Sequence, residues 1–293
     1  MTKAATIVSF GVIVYMLTLS GCKNEASNRA VDPVIISAAE KLFDLQMSSA
    51  EKDSMIDALE TQLADFKIIH NQQIDNSIPP AIWFNPVPAG VVYASEQKPI
   101  NWALPVNVAL PKDINELAWY SVADLSVLIR TRKITSVELT KLFLNRLKKY
   151  GDTLHCVIAL TEERAMKQAR KADDDLARGI YHGPLHGIPY GIKDLFSVEG
   201  YKTTWGAAPY KDQQIAKDAT VVKKLDEAGA VLLAKFSLGS LAMDDVWFGG
   251  LTRNPWDLNQ GSSGSSAGSA AATAAGLVPF AIGTETWGSI VSP

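Results

Sequence analysis

Small residues fill the stretch Gln260-Gly-Ser-Ser-Gly-Ser-Ser-Ala-Gly-Ser-Ala-Ala-Ala-Thr-Ala-Ala275, which begins as a Gly/Ser loop and ends as an alanine-rich run. The loop places a permissive backbone and several hydroxyl groups at one point of the chain. Because the alanine run has high helix propensity, we expect the loop to present backbone N–H groups at a helix N-terminus. A flexible linker has a similar composition. The next segment, Ala281-Ile-Gly-Thr-Glu-Thr-Trp-Gly-Ser289-Ile-Val-Ser-Pro293, argues against a linker, since a second glycine-framed serine follows a strand-like run.

The composition is typical of a globular protein, with 293 residues of which 47% are hydrophobic and 20% are charged. A chain of this length can form one large core or two domains. It has 28 basic and 31 acidic residues and a net charge of -3, so we expect neither DNA nor RNA as a partner. The sequence contains no metal-ligand cluster and no nucleotide-binding motif, so we expect no cofactor.

The N-terminus has the layout of a secretory signal peptide over residues 1–21: Lys3, an apolar run from residue 4 to 19, and then small residues. The apolar run is short for a stable membrane span. Leu19-Ser-Gly-Cys22 resembles a bacterial lipobox, which predicts lipidation of Cys22 and an exported lipoprotein anchored at the periplasmic or cell-surface face of a membrane. Residues 22–33 would form the tether. An ordinary signal peptide with a chance cysteine is the alternative.

Residues 34–115 are predicted to form a helical and proline-rich extension. Residues 34–72 favour two helices, and Ser48-Ser-Ala-Glu51 fits a capping box at the start of the second. The proline density of residues 78–111 excludes regular helix. We expect an irregular segment there, held to the surface by aromatic side chains such as Trp83, Phe84 and Trp102.

From residue 116 to residue 293 the pattern changes to helices that alternate with short apolar runs. A capping box at Thr135-Ser-Val-Glu138 begins one helix, which we expect to end near Gly151. An apolar run around Cys156 predicts a strand with the cysteine in the core. Further helices are predicted over residues 162–178 and 220–227, with a strand at 231–234. This alternation predicts an α/β fold in which helices cover both faces of a sheet.

One lysine lies in a segment that suggests burial, Gly183-Pro-Leu-His-Gly-Ile-Pro-Tyr-Gly-Ile-Lys193-Asp194. Its neighbours Ile188, Tyr190 and Ile192 are apolar. Burial disfavours the charged form of a lysine, so the pKa of Lys193 should fall and a neutral amine could act as a base. Most lysines, by contrast, are solvated surface charges.

Serine needs an adjacent base before it becomes a nucleophile. The segment Gly264-Ser-Ser-Ala-Gly268 matches the G-x-S-x-G motif of α/β-hydrolases with Ser266 at its centre. Such an esterase would place its histidine after the serine, whereas all four histidines precede it: His70, His155, His182 and His186. A phosphate-binding glycine loop is excluded because no Gly-Lys-Ser/Thr follows the glycines.

Taken together, residues 183–194, the Gly/Ser loop and residues 283–290 resemble the amidase signature family. Leu233-Ala-Lys235 and Thr252-Arg-Asn-Pro-Trp256 also fit, so the resemblance covers residues 116–293. It implies the mixed-sheet α/β fold of that family and a Ser–cisSer–Lys triad. Lys193 matches the family's lysine, Ser265 the serine with the cis peptide bond, and Ser289 the nucleophile. Ser266 matches a serine that supports the site by hydrogen bonding.

The resemblance also implies a mechanism. Neutral Lys193 would accept a proton from Ser265, which takes one from Ser289, and Ser289 would attack an amide carbonyl to form an acyl-enzyme. The backbone N–H groups of Thr286, Trp287, Gly288 and Ser289 would form the oxyanion hole.

Several positions depart from the family pattern. Ala267 stands where the family usually has glycine, Trp287 replaces a small residue, and Val291 replaces a frequent arginine. Family members continue well past residue 293, so we expect a C-terminally incomplete domain. Three hypotheses follow: an amidase that hydrolyses a carboxamide C–N bond, an esterase that uses Ser266, or an inactive truncated surface lipoprotein. Peptide, aryl, fatty and small aliphatic amides all stay open as substrates, as does the oligomeric state.

Overall fold

The computed structural model describes residues 29–293 with gaps at 76–77, 79–80, 83 and 97. The predicted signal peptide and Cys22 lie outside the described residues. The chain divides into two compact units, one ending at Ser95 and the other spanning Glu96–Pro293. Within the described ranges, no helix has both the length and the apolar character that a membrane span requires.

The first unit contains two helices, α1 (Pro33–Phe43) and α2 (Ser49–His70). Asp32 caps α1 by accepting a hydrogen bond from the backbone N–H of Ile35, and a proline occupies the first turn. A capping box between Ser48 and Glu51 begins α2. The prediction of two helices, with this cap on the second, is therefore confirmed.

The proline-rich stretch at residues 78–111 contains neither helix nor strand among its described residues, as predicted. The expectation that aromatic side chains hold it to the surface is wrong for the two that can be described. Phe84 is 86% exposed and Trp102 is 58% exposed. The residues around them are themselves mostly exposed, so they provide no apolar surface for these rings to cover.

The second unit contains five α-helices and eight strands among its described residues, which are numbered here in chain order. The elements are α3 (Val122–Arg130), α4 (Ser136–Leu154), β1 (Val157–Leu160), α5 (Glu162–Ala177), β2 (Pro189–Lys193), α6 (Thr220–Glu227), β3 (Val231–Phe236), β4 (Val246–Trp247), β5 (Gly250–Leu251), β6 (Arg253–Asn254), β7 (Asp257–Gly261), α7 (Ala267–Ala274) and β8 (Ala281–Ile282). Short 3-10 turns lie at Ile114–Trp119, Ala208–Tyr210 and Ser240–Ala242.

Four of the strands form one mixed sheet in the order β1-β3-β2-β8. Strand β2 runs parallel to both β3 and β8, while β1 is antiparallel to β3. Lys193 at the end of β2 pairs with Phe236 at the end of β3, and Ile192 pairs with Ile282 in β8. The carboxyl ends of three parallel strands therefore meet at one edge of the sheet.

Side chains that alternate along β3 enter two separate hydrophobic clusters on opposite faces of the sheet. Val231 and Leu233 pack with residues of α3, α4 and α7. Leu232 packs on the other face with Val222 and Leu225 of α6. The predicted α/β fold, a mixed sheet covered by helices on both faces, is confirmed.

Helix α4 begins at the predicted capping box of Thr135 and Glu138 but does not end near Gly151. It continues to Leu154, whose buried side chain joins the core, and His155 in the left-handed region (φ 49°) ends it. The position of Gly151 inside the helix suits glycine, because a Cβ there would come within 2.9 Å of Val157 Cγ2. The strand predicted around Cys156 therefore begins only at Val157.

Candidate active site

Lys193 ends β2 with its side chain fully buried and surrounded by hydroxyl groups. Its Nζ lies 2.8 Å from Ser265 Oγ, 2.8 Å from Thr284 Oγ1 and 3.2 Å from Ser266 Oγ. Three different segments thus converge on one amine: the end of β2, the loop before α7 and the residues after β8.

The pKa of Lys193 is lowered to about 8 because burial penalises the charged ammonium, although the negative charge of Glu285 opposes the shift. In the described part of the chain, no carboxylate lies within ion-pair distance of this amine. The pKa of Lys193 is therefore shifted in the direction that the sequence predicted, which makes the neutral amine, the form that can accept a proton, easier to reach.

The Gly/Ser loop reaches Lys193 through a tight turn in which Ser263 (φ 68°) and Gly264 (φ 59°) are both left-handed. Helix α7 follows at once and confirms the predicted helix on the alanine run. Gly268 in its first turn lies against the sheet, where a Cβ would meet the backbone N of Ser237 and the carbonyl oxygen of Cys156 at 2.6 Å. This close approach holds the loop at the carboxyl edge of the sheet.

Ser289 completes a line of three groups, with its Oγ 2.8 Å from Ser265 Oγ. The backbone N–H of Ser266 donates to the carbonyl of Ser289 at 2.9 Å and fixes the two loops together. Ser265 is buried, whereas Ser289 is partly exposed and lines a cavity of about 410 Å³ with Met243 and Trp287. The structure thus brings together Lys193, Ser265 and Ser289, with the last of them accessible from the cavity.

Ser266 ties the loop to the residues after β8. Its Oγ donates to the carbonyl of Thr284 at 3.0 Å and accepts from the N–H of Thr284 at 3.1 Å. These contacts are those of a residue that supports the site by hydrogen bonding.

The esterase hypothesis needs a histidine beside Ser266, and the structure contradicts it. All four histidines lie in the described residues, and none of them contacts this serine. His186 Nε2 lies 2.9 Å from the carbonyl oxygen of Ala172, and His182 Nε2 lies 3.2 Å from Asp175. The G-x-S-x-G match in the loop follows from its Gly/Ser composition.

The cis peptide bond implied for Ser265 is not present, because every peptide bond in the described ranges is trans. The chain reverses direction through the left-handed residues Ser263 and Gly264 instead. With this trans backbone, the side chains of Lys193 and Ser265, and those of Ser265 and Ser289, still lie within hydrogen-bond distance of each other.

The predicted oxyanion hole is only half available in this conformation. The N–H groups of Gly288 and Ser289 donate to the Glu285 carboxylate, the second at 2.9 Å. Within the described residues, the N–H groups of Thr286 and Trp287 have no hydrogen-bond partner. A carboxylate of the same loop therefore engages two of the four predicted donors in this conformation.

Thr284 and Glu285 both lie in the segment quoted above, but the sequence did not assign them a role. Thr284 reaches Lys193 because β8 pairs with β2, and strand order cannot be read from one sequence. The contacts of Glu285 can be recognised only when the directions of the backbone N–H groups are known. A cluster of three or more metal-binding side chains is absent from the described residues.

A second buried lysine lies beside the site and differs from the first in having a counter-charge. Lys235 Nζ is 2.5 Å from Asp194 Oδ1 and 2.8 Å from Thr203 Oγ1, and both charged side chains are fully buried. Asp194 also accepts from the backbone N–H of Thr204 at 2.7 Å. The pair fixes β2 against β3 directly next to Lys193.

A buried, partly neutral lysine linked through one serine to an accessible second serine is an arrangement suited to serine-dependent acyl transfer. The family model described as Amidase matches residues 138–293, more than half of the chain. The chain belongs to the amidase family.

Among its relatives, a glutamyl-tRNA(Gln) amidotransferase subunit of Coxiella burnetii is 44% identical over 177 residues, covering 59% of this chain and 36% of that protein. The corresponding protein of Dechloromonas aromatica is 42% identical with the same coverage. The solved peptide amidase of Stenotrophomonas maltophilia is similar with a TM-score of 0.58 and 37% identity, covering 60% of this chain and 38% of that one. A solved fatty acid amide hydrolase is similar with a TM-score of 0.56 and 28% identity, covering 59% of this chain and 31% of that one. The chain spans little more than a third of the length of the curated relatives named here.

We expect Asp194→Asn to lower the free energy of unfolding by about 3–5 kcal/mol, because Lys235 would remain buried without a counter-charge. Urea unfolding followed by tryptophan fluorescence measures the change. The double variant Asp194→Asn/Lys235→Met removes both charges and should recover most of the loss. A single variant as stable as the unmodified chain would show that the ion pair does not stabilise this part of the fold.

Proposed function

We propose that this chain hydrolyses a carboxamide C–N bond, with Ser289 as the nucleophile and Lys193 as the base that acts through Ser265. The supporting observation is the continuous line from Lys193 Nζ to Ser265 Oγ to Ser289 Oγ, with 2.8 Å at each step. The match to the amidase family over residues 138–293 supports the same conclusion independently.

In the first half of the reaction, Ser289 Oγ attacks the amide carbonyl carbon while its proton passes to Ser265, and the Ser265 proton passes to the neutral amine of Lys193. A tetrahedral intermediate with a negative oxygen forms. The resulting ammonium of Lys193 then returns a proton through Ser265 to the leaving nitrogen. The C–N bond breaks, an amine leaves, and the acyl group stays on Ser289 as an ester.

In the second half, a water molecule attacks the ester carbonyl and its proton follows the same route to Lys193. The ester C–O bond breaks, Ser289 regains its proton and a carboxylic acid is released. The negative oxygen needs donors in both halves. The N–H groups of Thr286 and Trp287 are the ones available for it, since those of Gly288 and Ser289 are engaged by Glu285.

Within amides, the cavity beside Ser289 is lined mostly by small and hydroxyl-bearing residues and by Asp244, and its two large apolar side chains suggest the kind of substituent it could contact. Met243 and Trp287 line it, and the Trp287 side chain is 91% exposed. The relatives named above include a peptide amidase and a fatty acid amide hydrolase. We therefore propose a carboxamide with an apolar substituent beside the scissile bond.

We expect a fluorophosphonate probe to label the purified 293-residue chain at Ser289, since such probes react with serines that have a base. Ser289→Ala should abolish labelling while leaving the circular dichroism spectrum unchanged. Ser266→Ala is the discriminating comparison: its hydroxyl does not contact Ser289 Oγ but lies 3.2 Å from Lys193 Nζ, so we expect slower labelling that is still at Ser289. Mass spectrometry of the labelled peptide identifies the residue.

Labelling of Ser266 instead of Ser289 would show that Ser289 is not the nucleophile. A folded chain that the probe does not label at all would support the third hypothesis, an inactive surface lipoprotein.

The labelling rate should rise with pH through about 8 and level off above it. Protonated Lys193 cannot accept the relayed proton, so reactivity is lost as the pH falls below the pKa of the amine and is gained as the pH rises through it. The second-order rate constant of labelling, measured from about pH 6 to 10, tests this. Lys193→Met should react slowly at every pH. A flat profile for the unmodified chain would remove Lys193 from the role of base.

We also propose that the protein is exported and that a lipid on Cys22 anchors it to a membrane, which would be its binding partner. The motifs quoted from residues 1–22 support this proposal. A short apolar run with polar residues directly after it favours cleavage over retention as a membrane span. Anchoring would place the amidase reaction outside the cytoplasm.

In a bacterial host fed an alkyne-bearing fatty acid, we expect the expressed chain to become labelled and to enter the membrane fraction. Cys22→Ser should lose the fatty-acid label. The matched control is Cys156→Ser, which changes the other cysteine, a buried free thiol, and should keep the label. Equal fatty-acid labelling of Cys22→Ser and the unmodified chain would exclude Cys22 as the site of lipidation.

A further inference from the structure

The carboxylate of Glu285 accepts hydrogen bonds from four consecutive backbone N–H groups around the nucleophile. Gly288 and Ser289 donate to Oε1, Ser289 at 2.9 Å. Ile290 and Val291 donate to Oε2 at 2.6 and 3.2 Å. The side chain therefore bends back onto its own loop, and Ser289 is one of the loop residues that it binds.

These four contacts lower the pKa of Glu285, with the N–H of Ile290 making the largest contribution, so the group is an anion near neutral pH. Hydrogen bonds to an ionised acceptor are shorter and stronger than neutral ones. Within the described residues, none of the four N–H groups has a second partner. This one carboxylate thus contributes to the direction of all four N–H groups around Ser289.

The other side of Ser289 is held separately. Its carbonyl accepts from the N–H of Ser266 at 2.9 Å, and the carbonyl of Gly288 accepts from the N–H of Ser292 at 2.9 Å. Because a peptide group is planar, these contacts and Glu285 together orient the peptide groups before and after Ser289. Rotation of the peptide before Ser289 would move Oγ out of line with Ser265.

We propose that Glu285 is a positioning residue, which holds Ser289 in line with Ser265 and leaves the N–H groups of Thr286 and Trp287 as the donors for the reacting oxygen. This inference rests on the proposed function, since it concerns the same nucleophile. Glu285 acts through the backbone and need not touch the substrate.

Glu285 has a second, electrostatic effect that makes the inference testable. Its negative charge raises the pKa of Lys193 against the larger, opposite effect of burial. The other charged groups packed around Lys193 are Asp194 on the same strand and Lys235 on β3, and these two form an ion pair with each other. Removing the charge of Glu285 should therefore make Lys193 a weaker base that is neutral at lower pH.

The test is Glu285→Gln, compared with the unmodified chain by the rate of fluorophosphonate labelling over the same pH range. A glutamine amide presents one acceptor and one donor, so two of the four N–H groups would face an N–H donor. We expect the labelling rate at high pH to fall by about ten- to a hundredfold, as for a misplaced reacting group. We also expect the midpoint of the pH profile to move to lower pH. A role in folding alone would not move the midpoint.

Two further variants serve as controls. Glu227→Gln removes an exposed carboxylate at the end of α6, which precedes β3 and so lies at the opposite edge of the sheet from Lys193. It should keep both the rate and the midpoint. Glu285→Asp keeps the charge on a side chain one methylene shorter, so we expect the midpoint of the unmodified chain with a reduced rate.

The outcomes separate this inference from the proposed function. If the unmodified chain is labelled at Ser289 and Glu285→Gln matches it in rate and midpoint, the positioning role is wrong while the amidase proposal stands. If the unmodified chain is not labelled at all, the proposed function itself fails. Should Glu285→Gln not fold, Glu285→Asp decides, because a midpoint different from that of the unmodified chain would contradict the electrostatic role.

Discussion

The site depends on the burial of a lysine that has no counter-charge. Transfer of an ammonium from water into a protein interior is costly, and a protein either pairs the charge or loses the proton. The two lysines that are buried in the described part of the chain show both solutions on adjacent strands. Lys235 stays beside Asp194 as an ion pair, whereas Lys193 has hydroxyl groups around it and its pKa falls to about 8. Lowering the pKa makes Lys193 a candidate base, whereas the ion pair makes Lys235 a structural contact.

The sheet provides the geometry that this contrast requires. Strands β2, β3 and β8 are parallel, so their carboxyl ends place Lys193, Phe236 and the residues after Ile282 at one edge. Side chains from separate parts of the sequence can meet there without long connections. The loop before α7 closes the site from a third direction, and the missing side chain of Gly268 lets that helix approach the sheet.

Much of this arrangement could be predicted from the sequence, because helix caps, apolar periodicity and glycine-framed serines are local signals. The capping boxes at Ser48 and Thr135 and the helix after the Gly/Ser loop are examples. The predictions that failed concerned features that depend on tertiary contacts. Gly151 did not end α4, because burial of Leu154 in the core outweighs the helix-breaking tendency of one glycine. Thr284 could not be placed beside Lys193, since that contact requires the pairing of β8 with β2.

The loop from Thr284 to Pro293 has to satisfy two requirements that compete for the same backbone groups. The nucleophile needs a fixed backbone, and the reacting oxygen needs free N–H donors close to that nucleophile. If every N–H of the loop were left free for the oxygen, only the contacts to the carbonyls of Gly288 and Ser289 would orient the peptide groups around the nucleophile before the substrate arrives. Glu285 divides the donors by position: Gly288 to Val291 hold the carboxylate, while Thr286 and Trp287 stay unoccupied. The cost is a negative charge that raises the pKa of Lys193, and the burial of that lysine has to exceed it. The position of one carboxylate therefore links the strength of the base to the alignment of the nucleophile.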